Sequence, residues 1–187
     1  MRQLLLSALL AATLPLTALA QEVATPSEPA AEPVTEIANG QSFGDWLVRC
    51  DALGVNRTRC MLSQRVARSD NGALLAEVLA FWSDDSPAAP ILVAQAPVGI
   101  YLPTSFVLQP EGSEDDQRLD FIWQSCNQTI CEAIGLPDAE KLDQLTGAER
   151  LLAGYRPSIG AEARVFPIST KGLAEGVEAL KLAASAD

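Results

Sequence analysis

The stretch WLVRCDALGVNRTRC, residues 46–60, holds two of the four cysteines on either side of a Gly54-Val55-Asn56 turn signal. Short runs of period-two character separated by such residues are the pattern of a β-hairpin. If Cys50 faces Cys60 across it, Val48 lies opposite Leu62 and Trp46 opposite Gln64. Alternate residues of a strand share a face, so Trp46, Val48 and Leu62 join the sulfurs on the inner side. Asp45, Leu47, Arg49, Asp51, Arg59, Met61 and Arg65 then point outward. The other two cysteines lie in IWQSCNQTIC, residues 122–131, again just after a tryptophan. There Leu119, Phe121 and Trp123 share one face of a strand that ends at Cys126, and each tryptophan reads as core packing beside a covalent staple.

What the sulfurs do depends on the compartment. Residues 1–20 start with Arg2, continue through the apolar run LLLSALLAATL (residues 4–14) and end on Ala18-Leu19-Ala20. This reads as a secretory signal peptide cleaved after Ala20, because the apolar run is shorter than the roughly twenty residues that span a bilayer. No cysteine stands at the cleavage point for lipid attachment, and no transmembrane anchor is expected in the mature chain. An oxidising compartment turns neighbouring thiols into disulfides. The spacings C-x9-C and C-x4-C match neither the C-x2-C knuckle of most four-cysteine zinc sites nor a C-x-x-C redox centre. Four cysteines allow three connectivities. Short loop closure favours Cys50 with Cys60 and Cys126 with Cys131, each stabilising by roughly 2 to 3 kcal/mol on the chain-entropy model.

Residues 21–40, QEVATPSEPAAEPVTEIANG, contain three prolines and four glutamates and no aromatic or basic residue. Such a segment cannot bury enough apolar surface to offset its ordering entropy and reads as a disordered acidic tether. Residues 41–187 then make one domain of ordinary size. Without Arg2 the chain has 12 basic residues against 24 acidic ones, a net charge of −12. That balance opposes binding to nucleic acid and general adhesion to anionic membranes. Short strands are expected over 45–50, 59–67, 74–82, 91–95, 105–108, 118–124, 151–155 and 163–168, the pattern of an all-β sandwich or barrel. A short helix is expected after Pro137 and another over 171–184, where Leu173, Val177 and Leu180 form one apolar stripe.

The sequence contains no histidine, which removes Ser-His-Asp and Cys-His catalysis and the commonest metal ligand. Asp84-Asp85, Glu114-Asp115-Asp116 and Asp120 are carboxylates of the type that cleave glycosides. All but Asp120 fall in polar loops beside Pro or Gly, where solvated loop charge is the simpler reading. Asn56-Arg57-Thr58 and Asn127-Gln128-Thr129 match the glycosylation sequon, yet both lie in turns, where Asn and Thr are common anyway. One charge feature stands out. Arg49, Arg57, Arg59, Arg65 and Arg68 fall within twenty positions that contain a single acid, Asp51. Guanidinium forks of this kind suit carboxylates or phosphates. The competing reading pairs Arg65 with Asp45 and Arg59 with Asp51 across the hairpin and leaves Arg49, Arg57 and Arg68 without obvious partners.

FGDWLVRC (43–50), CMLSQRV (60–66), IWQSCNQTICEA (122–133) and RVFPISTKGLAEGVEALKLA (164–183) together resemble the invasion-associated locus B family of bacterial envelope proteins. The resemblance covers about residues 41–184. It implies an exported, disulfide-bonded, immunoglobulin-like antiparallel β-sandwich, with Cys50, Cys60, Cys126 and Cys131 as structural bridges and no catalytic residue to carry over. The function expected is a periplasmic or secreted, non-enzymatic interaction module without cofactor or metal. Its partner would be an envelope or host protein, or an anionic envelope component, met through the arginine stripe or exposed strand edges. Two alternatives are a small-ligand carrier with an apolar cavity between the sheets and a carboxylate-dependent, carbohydrate-active enzyme.

Overall fold

The computed structural model describes residues 37–55, 57–83 and 86–185. The signal peptide expected over 1–20, most of the tether expected over 21–40, and Asp84 and Asp85 lie outside them. Strands β1 (Ser42–Phe43), β2 (Trp46–Gly54), β3 (Arg57–Ala67), β4 (Leu74–Ser83) and β5 (Ser86–Pro97) form an antiparallel meander. There follow β6 (Phe106–Pro110), β7 (Leu119–Cys126), β8 (Ile130–Gly135), helix α1 (Ala139–Thr146), β9 (Arg150–Tyr155), β10 (Arg164–Ser169) and helix α2 (Leu173–Ala184). The spatial order is β1-β2-β3-β4-β5-β8-β7-β6-β9-β10.

The corner of this sheet is β7. Its first half pairs with β6 through Phe106↔Phe121 and Leu108↔Leu119, and its second half with β8 through Ile122↔Ile134 and Cys126↔Cys131. The register shifts between Trp123 and Ser125, and such a bulge bends the strand. The sheet thus folds into two layers, β1 to β5 with β8 and the end of β7 in one, and the start of β7 with β6, β9 and β10 in the other. This is the antiparallel β-sandwich expected from the sequence.

Size complementarity fills the interior. The first layer presents Val48, Leu62, Ala76, Val78, Ala80, Ala94 and Ala133, while the second presents Phe106, Phe121, Tyr155 and Phe166, all buried. The small residues leave room for the rings, which meet one another edge-on or stacked, as in the Phe106–Phe121 contact at 5.3 Å between centroids. Helix α2 lays Leu173, Val177 and Leu180 on the core, the stripe read from the sequence. Its Gly176 passes so close to Leu62 that a Cβ there would come within 2.6 Å of a methyl carbon.

Four differences from the expected elements have physical causes. Residues 130–135 form β8, which the period-two pattern missed because Ile130, Ile134 and their neighbours are apolar on both faces. The two-residue β1 is too short to show periodicity. β5 runs through Pro87, Pro90 and Pro97, residues that read as breakers. Residues 37–40, assigned to the tether, lie along β2 together with Gln41. Gly40 N donates to Val48 O at 2.9 Å, Val48 N to Gln41 O at 2.8 Å, and Cys50 N to Asn39 Oδ1 at 3.0 Å. They satisfy backbone groups that β2 would otherwise expose.

Candidate functional site

The β2–β3 hairpin has the register its sequence predicts over Leu47↔Ser63, Val48↔Leu62, Arg49↔Met61, Cys50↔Cys60 and Asp51↔Arg59. A shift after Ala52 then brings Gly54 opposite Arg57. Cys50 and Cys60 are bonded on the inner face, and Cys126 and Cys131 are bonded across the β7–β8 turn. In that second turn Asn127 Oδ1 accepts from the N–H groups of Thr129 at 2.8 Å and Ile130 at 2.9 Å. The Asn of the IWQSCNQTIC stretch is therefore a turn-former, its amide oxygen occupied by backbone.

Outside, β2 and β3 carry Arg49, Arg57, Arg59 and Arg65 onto one sheet face, and Arg68 follows in the turn after β3, with partners that sequence spacing did not reveal. Arg49 Nη1 lies 2.6 Å from Glu77 Oε1, and Ser63 Oγ donates to the same oxygen at 2.6 Å. Arg65 Nη1 is 3.7 Å from Glu77 Oε2. Two half-exposed guanidiniums thus converge on one carboxylate whose side chain is only 7% exposed. Arg59 does face Asp51 in register, but its guanidinium lies 5.0 Å above the Phe81 ring. The proposed Arg65–Asp45 pair does not form, because Asp45 Oδ2 accepts from Ser169 Oγ at 2.6 Å. Arg68, left partnerless by the sequence, forks onto Asp70 at 2.9 and 2.6 Å. That bidentate contact holds the Asp70 carboxyl below the ordinary carboxylate range. Arg57 lies at the exposed hairpin end.

Between Arg49 on one side and Arg65 on the other runs a mostly apolar row. The registers place Leu47, Ser63, Leu79, Val93, Ile134 and Ile122 side by side across six strands. Leu47 is 43% and Ile122 68% exposed. The next row contains Arg49, Met61, Phe81 and Ile91. On the opposite side of the apolar row Glu77 is followed by Gln95 and Glu132, joined by a 2.8 Å bond from Gln95 Nε2 to Glu132 Oε2. Glu77, which organises the basic end, was the residue sequence reasoning missed. Its signal was a lone acid inside the apolar run LLAEVLAFW, visible as an arginine partner only once β3 and β4 are in register.

The loop carboxylates are arranged differently. Asp115 and Asp116 sit exposed on a single 3₁₀ turn, where the Asp116 carbonyl accepts from Lys141 Nζ, and Asp120 pairs with Arg118 at 3.2 Å. Among the described residues no group of three or more Asp, Glu or Cys side chains is placed to hold a metal ion.

The molecule is therefore a doubly stapled antiparallel β-sandwich with a filled interior and one sheet face that combines exposed aliphatic groups with oriented guanidiniums. The sequence model of the invasion associated locus B (IalB) protein family matches residues 46–181, and the chain belongs to that family. Among solved structures it is similar to the crystal structure of invasion associated protein b from Bartonella henselae, with a TM-score of 0.60 at 14% identity. The match covers 79% of this chain and 98% of that one, and it concerns the fold. No curated protein matches the sequence.

Proposed function

We propose that this chain is an exported, non-enzymatic binding module of the cell envelope, and that it receives an envelope or host protein, or an anionic envelope component, on the outer face of its first layer. One observation carries the reading. An apolar row that surfaces at its two ends, Leu47 and Ile122, lies beside the Arg49 guanidinium, which the buried Glu77 carboxylate holds at 2.6 Å, so the face is preorganised for contact. The two bridges and the leader-like N-terminus support export. The absence of histidine and the solvated positions of Asp115 and Asp116 support binding over turnover. The aromatic filling between the layers favours an outer face over an internal carrier cavity.

The test is site-specific photocrosslinking in intact cells. A benzoylphenylalanine at position 122, on the face, is expected to capture a partner that the same group at Val165, exposed on β10 of the other layer, does not. Arg49→Glu with Arg59→Glu is expected to reduce that capture severalfold. The same adducts from both positions, no adduct from either, or capture unchanged by the double substitution overturns the assignment.

A further inference from the structure

Among the described residues, the sandwich is left open along one seam. β2 accompanies β3 only as far as Leu47↔Ser63, whereas β3 continues to Ala67, paired with β4 through Gln64↔Val78, Arg65↔Glu77 and Val66↔Ala76. In an antiparallel ladder the N–H and C=O of successive residues point to alternate sides. Arg68 N donates toward β4, to Ala73 O at 2.8 Å. Arg65 and Ala67 therefore direct their backbone groups the other way, where β2 has already turned off.

Across this gap runs β10, whose strand partner among the described residues is β9 alone. A groove of about 570 Å³ separates the two edges, with Arg65, Val66, Ala67, Arg150, Pro167 and Ile168 on its walls. β10 does not close it. Ser169 faces the seam, but its N–H donates to Gln64 Oε1 at 2.8 Å and its carbonyl accepts from Gln64 Nε2 at 3.2 Å and Trp46 Nε1 at 2.9 Å. Two residues earlier on the same edge stands Pro167, which has no N–H to offer. A proline is a common device for blunting an edge strand. The end of β3 carries no such block, and Arg65 and Ala67 are exposed.

We infer that the open end of β3 takes up an extended segment of a partner polypeptide as an added strand, continuing the line that β2 abandons. Backbone pairing with Arg65 and Ala67 supplies the attachment, and alternate side chains supply the selection. A residue opposite Arg65 projects to the outer face beside a guanidinium that is 61% exposed and held only loosely by Glu77 at 3.7 Å. A carboxylate at that position completes a cross-strand ion pair. Its neighbours project inward against Val66 and Ile168 and are apolar. Asp45 and Glu149 on the far lip oppose a uniformly acidic segment, so the recognised chemistry is acidic and apolar in alternation. This site rests on backbone groups of β3 and is independent of the face around Ile122.

The experiment uses the mature full-length protein and a fluorescein-labelled peptide of alternating glutamate and valine, read by fluorescence anisotropy. Saturable binding is expected, weakened roughly tenfold by Ala67→Pro, which removes a donor on the open side and obstructs the edge while the N–H of Arg68 still bonds Ala73 O on the β4 side. N-methylating the peptide amides on one edge is expected to abolish binding and on the other edge to leave it intact, a signature that requires no change in the protein. No saturable binding, or equal binding by Ala67→Pro and by both methylated peptides, overturns the inference. So does a benzophenone at position 67 that captures residues 21–36 of the same chain or a second copy.

Discussion

Gly172 sits at φ +83°, and a Cβ on it would lie 2.1 Å from the carbonyl oxygen of Phe43. Its counterpart Gly44, at φ +54°, would bring a Cβ within 2.4 Å of Lys171 O. The turn between β1 and β2 and the start of α2 thus touch backbone to backbone. Gly172→Ala is expected to destabilise by well over the roughly 1–2 kcal/mol of left-handed strain alone. Gly112→Ala, at φ +76° with open space around it, should cost about that strain and no more. Urea denaturation midpoints of the two variants check the contrast. Glu77 makes a second point at this scale. Glu77→Gln weakens two arginine contacts while leaving a buried amide, and a loss of about 1–3 kcal/mol is expected by the same measurement. The helix expected over 171–184 starts just after this glycine, but the contact of Gly172 with Phe43, over a hundred positions away, was not legible. Nor was the role of Glu77, because an acid inside an apolar strand becomes a partner only when neighbouring strands set its surroundings.

The β2–β3 hairpin was legible because three local signals agree: a Gly-Val-Asn turn, alternation, and two sulfurs at matching distance from the turn. The β7–β8 hairpin was legible only in its first half, since β8 places Ile130 and Ile134 on its outer face as well as apolar residues on its inner one, and period two fades. The two bridges differ in what they close. On the chain-entropy model, replacing Cys50 and Cys60 with alanine should cost about 3 kcal/mol and replacing Cys126 and Cys131 about 2 kcal/mol, the longer loop losing more. Thermal unfolding of the two double variants, compared at equal pH, gives the order. A larger loss from the shorter loop would mean that packing around the sulfurs outweighs closure entropy.

At the scale of the whole molecule, the two ends of the folded sheet are joined by side chains and a backbone bond from Asp45 N to Lys171 O at 3.0 Å rather than by a ladder. The Gln64 amide holds both backbone groups of Ser169, with Trp46 beside it. Gln64→Leu keeps the volume and removes the bonds, so a loss of about 1–3 kcal/mol is expected. Faster hydrogen exchange in β10, with β4 and β5 unchanged, would place the effect at the seam. The sequence by itself determined the class of fold, the inward and outward faces of the first hairpin, the sulfur pairing and the apolar stripe of α2. Each of these follows from neighbours in the chain and a fixed period. Only the tertiary structure decided which acid organises the arginines, where the apolar row is exposed, and that β3 and β10 stop short of pairing. Those depend on registers between distant strands, on one bulge in β7 and on a single missing N–H at Pro167, none of which leaves a periodic trace along the chain.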